Sequence, residues 1–107
     1  MKKDDTDKVR LDLIPPTWLH ELAEVLEAGA EKYGENNWMD PPYAQPTRTY
    51  GSAMRHLTAW ALGDNFDDDT DCPHLVMAAT QILMLHWQIT QGGGKWEQPN
   101  SIETHSN

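Results

Sequence analysis

Glu24, Glu27 and Glu31 recur at three- and four-residue intervals. On a helix turning by about 100° per residue they fall within roughly 60° of one another, with Glu21 further round. Like charges one turn apart repel, and the repulsion grows where water is excluded. A hard divalent cation such as Mg²⁺ or Mn²⁺ relieves it, because such ions prefer carboxylate and water oxygens. The stripe borders the apolar face of its segment and does not oppose it. It therefore points into a groove between helices, where bundle proteins build carboxylate metal sites. The plain alternative is a solvated acidic surface with Lys32 nearby, since this glutamate spacing is common on exposed helices.

A second acidic group, Asp64, Asp67, Asp68, Asp69 and Asp71, crowds one connection. It is not an EF-hand, because the central glycine and the twelfth-position glutamate are missing. Two roles are open to it. Some of its aspartates cap the helix that follows, or one or two of them complete a metal shell. Asp64 and Asp67 are best placed for the second role, next to a helix end and on either side of Phe66.

His56 sits beside Arg55 at the flank of an apolar stripe, and His74 stands where a helix begins, as a cap, a metal ligand or a base. His74, Gln81 and Gln88 are spaced by seven and form a polar seam on an otherwise apolar segment; such a seam must be hydrogen-bonded when buried. Lys32, Arg48 and Arg55 are the cations available to phosphates. Trp38 and Trp60 offer faces for a base, although core packing is the better reading of Trp60. There is no Gly-rich phosphate loop and no Cys/His zinc spacing. The lone Cys72 lacks an obvious paired histidine, which argues against a thiol nucleophile.

These residues need helices to position them. Pro15-Pro16-Thr17 opens the first, with Pro16 in the first turn or Thr17 as N-cap. Its apolar face over residues 18–33 is Leu19, Leu22, Leu26, Ala30 and Tyr33, and Gly34 ends it. The prolines of residues 35–48 mark a loop. A second helix is expected over about 49–62, with the stripe Tyr50, Ala53, Met54, Leu57 and Ala61, closed by Gly63. The third, over about 73–90, is apolar nearly all round and therefore central. Residues 1–12 and 91–107 read as flexible flanks of a domain spanning 13–90, with Trp96 a possible docking point. The fold class is all-α: a small bundle of about three main helices.

The chain has 107 residues and a formal net charge of −9, which suits one domain and argues against binding a nucleic-acid polymer. A small anionic nucleotide is still approachable through a metal that inverts the local charge. One cysteine excludes an intrachain disulfide. The polar N-terminus lacks the apolar stretch expected of a signal peptide, and the longest apolar run is too short to span a membrane. A cytoplasmic protein is expected.

Several of these pieces together resemble a known family. They are Arg10-Leu-Asp-Leu-Ile-Pro-Pro16, Leu26-Glu-Ala-Gly-Ala-Glu-Lys-Tyr-Gly34 with Asn37-Trp38, Arg55-His-Leu-Thr-Ala-Trp60, Gly63-Asp64-Asn-Phe-Asp67 and His74-Leu75. The sequence resembles the phage dATP/dGTP diphosphohydrolases, grouped with MazG-like nucleotide pyrophosphohydrolases. The resemblance implies an all-α dimer or tetramer holding Mg²⁺ or Mn²⁺ on carboxylates of two helices. It implies attack of an activated water between the α- and β-phosphates of a purine deoxynucleoside triphosphate, giving monophosphate and pyrophosphate. On this chain the implied metal residues are Glu24, Glu27, Glu31, Asp64 and Asp67, with Glu27 or Glu31 as general base. Lys32, Trp38, Arg55, His56 and His74 form the expected nucleotide-binding set. Two departures stand out. Asp64 replaces the longer glutamate expected there, and Met77 stands where a second histidine is expected. A phage-encoded chain would work in the host cytoplasm.

The alternative function on the same scaffold is a non-catalytic protein that binds or sequesters a nucleotide, and a third is a plain helical interaction module. Three helices, one apolar on every side, bury themselves poorly in a chain this small. We therefore expect a homodimer or homotetramer with the third helices packed across a two-fold axis. Light scattering at micromolar concentration should return at least twice the monomer mass; the monomer mass would refute it.

Overall fold

The computed structural model describes residues 8–41 and 44–94. Its elements are helical throughout: α1 (Pro16–Tyr33), α2 (Pro46–Ala61) and α3 (His74–Thr90), with 3₁₀ turns at Leu11–Leu13 and Asn37–Met39. This is the small all-α bundle that the spacing implied. Among the described residues no helix is long and apolar enough to cross a membrane. Trp96 and residues 95–107 lie outside the described residues, as do 1–7.

Proline sets two of the helix starts. Pro16 and Pro46 each occupy the first helical turn, where a missing N–H costs nothing and a fixed φ is already helical. For α2 this corrects the expected start near Thr49. The Thr49 N–H and hydroxyl both donate to the Gln45 carbonyl, at 3.0 and 3.2 Å, so the first turn is already closed three residues earlier.

Glycine ends α2. Gly63 adopts φ +101°, a region that side chains disfavour. Its N–H donates to the Trp60 carbonyl (2.9 Å) and the Asp64 N–H donates to Ala59 (3.0 Å). This is a Schellman closure, and it holds the Asp64 backbone against the helix end.

The expectation that aspartates cap α3 is corrected. Pro73 occupies the cap position with no side-chain hydrogen bond, and the His74 N–H donates instead to the Asn65 carbonyl at 2.9 Å. The loop folds back on itself. Asn65 pairs with His74 and Asp67 with Cys72 through backbone bonds, and Phe66 and Pro73 form an antiparallel bridge.

The central element is α3, which packs against α2, α1 and the turn at Asn37–Met39. Small side chains fill the interior: Ala53, Ala78, Thr49, Thr80 and Cys72, with Val25 from α1. The buried side of α2 is therefore Pro46, Thr49 and Ala53, with His56 half-buried beside them. Tyr50 and Met54, expected in its apolar stripe, are displaced to the exposed margin. Trp60, read as a core residue, is also exposed. Small residues let two helices meet face to face, and bulky ones are then left at the edges. The apolar face of α1 is covered only in part, with Leu19 57% and Leu26 40% exposed. On α3, Leu75, Ile82, Leu83 and Ile89 form a further uncovered strip.

Gln88 is the largest fully buried side chain, 1% exposed. Its amide donates to the Trp38 carbonyl at 2.9 Å, and Trp38 sets its ring edge-on to Trp87, 5.3 Å between centroids. One hydrogen bond thus ties the α1–α2 connection to α3. Gly94 returns its N–H to the Gln88 carbonyl (2.7 Å), and a Cβ at Gly94 would meet Pro46 at 3.0 Å. Replacing Gln88 with alanine leaves a cavity and an unpaired carbonyl. We expect about 2–4 kcal/mol of destabilisation in denaturant unfolding; a loss under 1 kcal/mol would show that this tie is dispensable.

Candidate metal and nucleotide site

The fold-back between α2 and α3 makes these helices an antiparallel pair. His56, one turn before the end of α2, and His74, at the start of α3, meet where the two helices pack together. Their Nδ1 atoms are 2.9 Å apart and the rings are tilted by 37°. His74 is buried, and its Nε2 lies 3.2 Å from Asp64 Oδ2. The Schellman closure of α2 positions that carboxylate.

Asp67 completes the cluster. Its Oδ2 accepts from the Thr70 N–H and hydroxyl, both at 2.9 Å. Thr70 Oγ in turn accepts from the Cys72 N–H (3.2 Å) and lies 3.6 Å from Met77 Sδ. Among the described residues, His56, Asp67 and His74 are the one group of three whose ligand atoms lie within 4.8 Å of one another.

The electrostatics follow from these contacts. Partial burial pushes the His56 imidazolium pKa down, and the neighbouring His74 and Arg55 push it further, against Asp67, which raises it. Burial is also the largest single influence on Asp67 and raises it. The two bonds from Thr70 and the nearby histidines together outweigh it, so the carboxyl sits below its usual range. His56 is thereby held neutral and Asp67 ionised.

The other candidates lie around this cluster. Glu24, Glu27 and Glu31 are exposed along α1, Glu24 within 3.8 Å of His20. The structure does not bring these glutamates into the His56–Asp67–His74 group. Lys32, near the end of α1, pairs with Asp69 of the loop, which holds its ammonium above the usual range, aided by Tyr33. Arg55 is exposed on α2 beside His56. Trp38 sits away from the cluster. It walls an apolar hollow of about 310 Å³ between α1 and α3, with Leu22, Leu26, Leu83, Met84 and Trp87.

The sequence suggests Asp67 for a metal and His56 and His74 for the nucleotide, and the fold brings the three together. Eighteen residues separate the histidines and no local spacing links them; the contact comes from the packing of α2 on α3. Thr70 was missed altogether, and its role comes from a turn that the aspartate run conceals.

A pH dependence follows. The unfolded chain protonates His56 near its ordinary value of about 6.5, before the folded protein does. Stability is therefore level above that pH and declines as pH falls from it towards the lower folded value. Asp67 contributes stability above the ordinary carboxylate pKa of about 3.9, and this is lost only as pH falls through its depressed folded value. In metal-free buffer, unfolding free energy should drop between pH 7 and 5, and His56→Gln should flatten that slope. Equal slopes would show that His56 does not govern it.

Residues 1–98 match the family model described as dATP/dGTP diphosphohydrolase, N-terminal. The chain is 32% identical over 87 residues to a protein of Salmonella phage PMBT28 named dATP/dGTP diphosphohydrolase. The match covers 81% of this chain but 29% of that protein, so the chain spans less than a third of its relative's length. No solved structure matches.

Proposed function

The chain belongs to the dATP/dGTP diphosphohydrolase family, and on that premise we propose that it hydrolyses purine deoxynucleoside triphosphates to monophosphate and pyrophosphate with a divalent metal. The observation that supports this reading best is the convergence of Asp64, Asp67, His56 and His74 where α2 turns into α3, opposite the end of α1 marked by Lys32.

The donor set fits Mg²⁺ or Mn²⁺. Among the described residues no lysine or arginine forms an ion pair with Glu24, Glu27, Glu31, Asp64 or Asp67, and hard oxygens without a cation suit a hard ion. These carboxylates form two sets, Glu24, Glu27 and Glu31 on α1 and Asp64 and Asp67 at the loop, and each set would supply oxygens to such an ion, Asp64 through the oxygen that His74 does not engage. When bound, the metal supplies neutralising charge for the polyphosphate and acidifies water.

The chain's own residues do the remainder. Lys32 is exposed and pairs with the exposed Asp69, so it can exchange that carboxylate for an outer phosphate. Arg55 offers a planar donor fork from the neighbouring helix. His56 and His74 would contact the phosphate end of the nucleotide. Glu27 or Glu31, one turn apart on α1, takes the proton from the attacking water. Trp38 walls the apolar hollow next to α1, which suits the flat face of a base.

The test is product analysis after incubating the purified protein with each deoxynucleoside triphosphate and Mg²⁺ or Mn²⁺. Monophosphate plus pyrophosphate, favouring dATP and dGTP, is expected. Retained nucleotide without turnover would instead establish a sequestering protein. Turnover should fall roughly 100-fold in Glu27→Gln with helical content unchanged, because Glu27 is exposed; full activity in that variant would remove Glu27 from the reaction.

A further inference from the structure

The oxygen-rich set on α1 and the cluster between α2 and α3 differ in chemistry. The latter presents two imidazole nitrogens and one carboxylate, with ligand atoms within 4.8 Å of each other. Imidazole suits the divalent transition ions, whereas Mg²⁺ takes oxygen and gives up water reluctantly. We infer that His56, Asp67 and His74 form a site for a divalent transition ion, with Asp64 as the residue that positions His74.

Three features of the cluster fit this assignment. First, the tautomer of His74 is set by its partners. Nε2 faces the Asp64 carboxylate at 3.2 Å, so it carries the proton and Nδ1 keeps its lone pair. A carboxylate behind a metal-binding histidine orients the ring and raises its basicity. Second, His56 Nδ1 stands 2.9 Å from His74 Nδ1. In the metal-free protein a proton on His56 Nδ1 bridges the two. Metal takes its place when that proton moves through solvent to His56 Nε2, leaving both rings neutral and both Nδ1 lone pairs facing the ion. Two nitrogens about 2.1 Å from one ion stand about 3.0 Å apart at an octahedral angle and about 3.4 Å apart at a tetrahedral one, so the pair needs to open by about half an ångström at most. Third, Thr70 engages only Oδ2 of Asp67, which leaves Oδ1 as a ligand on a carboxylate already held in place.

The neighbouring position 77 offers a gain as well as losses. Met77 lies one turn along α3 from His74, and its sulfur contacts the Thr70 hydroxyl that holds Asp67. A histidine there would stand at the edge of the same cluster as an added nitrogen ligand.

This inference deepens the metal-dependent reading above by naming ligands, and it is tested without nucleotide, so missing hydrolysis does not bear on it. The full chain is stripped with chelator and titrated with Co²⁺, Zn²⁺ and Mg²⁺, by calorimetry and by the visible spectrum of Co²⁺. Co²⁺ should bind at least 100-fold more tightly than Mg²⁺. His56→Gln and His74→Gln should each weaken Co²⁺ binding at least tenfold, with His20→Gln and His86→Gln unchanged. Asp64→Asn should weaken it by about tenfold, and Met77→His should tighten it. Undiminished Co²⁺ affinity in both histidine variants, or Mg²⁺ binding as tight as Co²⁺, would overturn the site. Where a histidine variant fails to fold by circular dichroism, Met77→His decides: unchanged affinity there overturns it too.

Discussion

Between Asn65 and His74 the chain turns back on itself through two pairs of backbone contacts, Asn65 with His74 and Asp67 with Cys72. The rest of the structure depends on this reversal. It sets α2 antiparallel to α3 and fixes their relative register. That register places His56 across from His74 and brings Asp64 behind the His74 ring. Gly63 makes the reversal possible, because its φ of +101° lets α2 close without a side-chain clash. Thr70 secures its tip by bridging Asp67 and Cys72. A run of aspartates that repel one another would stay open without such bonds. Here one carboxylate is hydrogen-bonded twice, another is matched to histidine and a third is matched to Lys32.

The packing beneath the loop is built for close approach more than for bulk. Thr49, Ala53, Ala78 and Thr80 are buried, while most of the larger apolar side chains stay partly or wholly in solvent. Small contact residues bury little apolar area per position. Their benefit is positional, since they let helix faces meet closely enough for imidazoles on two helices to come within hydrogen-bonding distance. Gln88 serves the same end at the far end of α3. It uses a buried amide, not a hydrophobic contact, to hold the turn that carries Trp38. Such polar ties are costly to break, because the partner left behind cannot reach water.

Charge gives the molecule a direction. With seventeen acidic and eight basic residues, an anion meets repulsion over most of the surface. Lys32 and Arg55 are cations near the cluster, and Lys32 is already engaged by Asp69. A polyphosphate therefore gains little from this surface without cations of its own. The acidic balance and the cluster of nitrogen and oxygen donors are thus two sides of one constraint: what binds here must include positive charge.

The sequence by itself determined the all-α class, the existence of three helices and the stops at Gly34 and Gly63. Those features rest on local periodicity, proline and glycine, and each acts within a few residues. It also identified the acidic loop and the two histidines as chemically able. The tertiary structure alone decided which of these groups meet. Thr49 and Ala53 turned inward and Tyr50 and Met54 outward, because contact with α3 selects small residues whatever their hydropathy. Asp67 became the partner of His56 and His74, while Glu24, Glu27 and Glu31 stayed apart from that group. Local spacing says which face of one helix a side chain occupies. Only the packing of one helix on another says what that face meets.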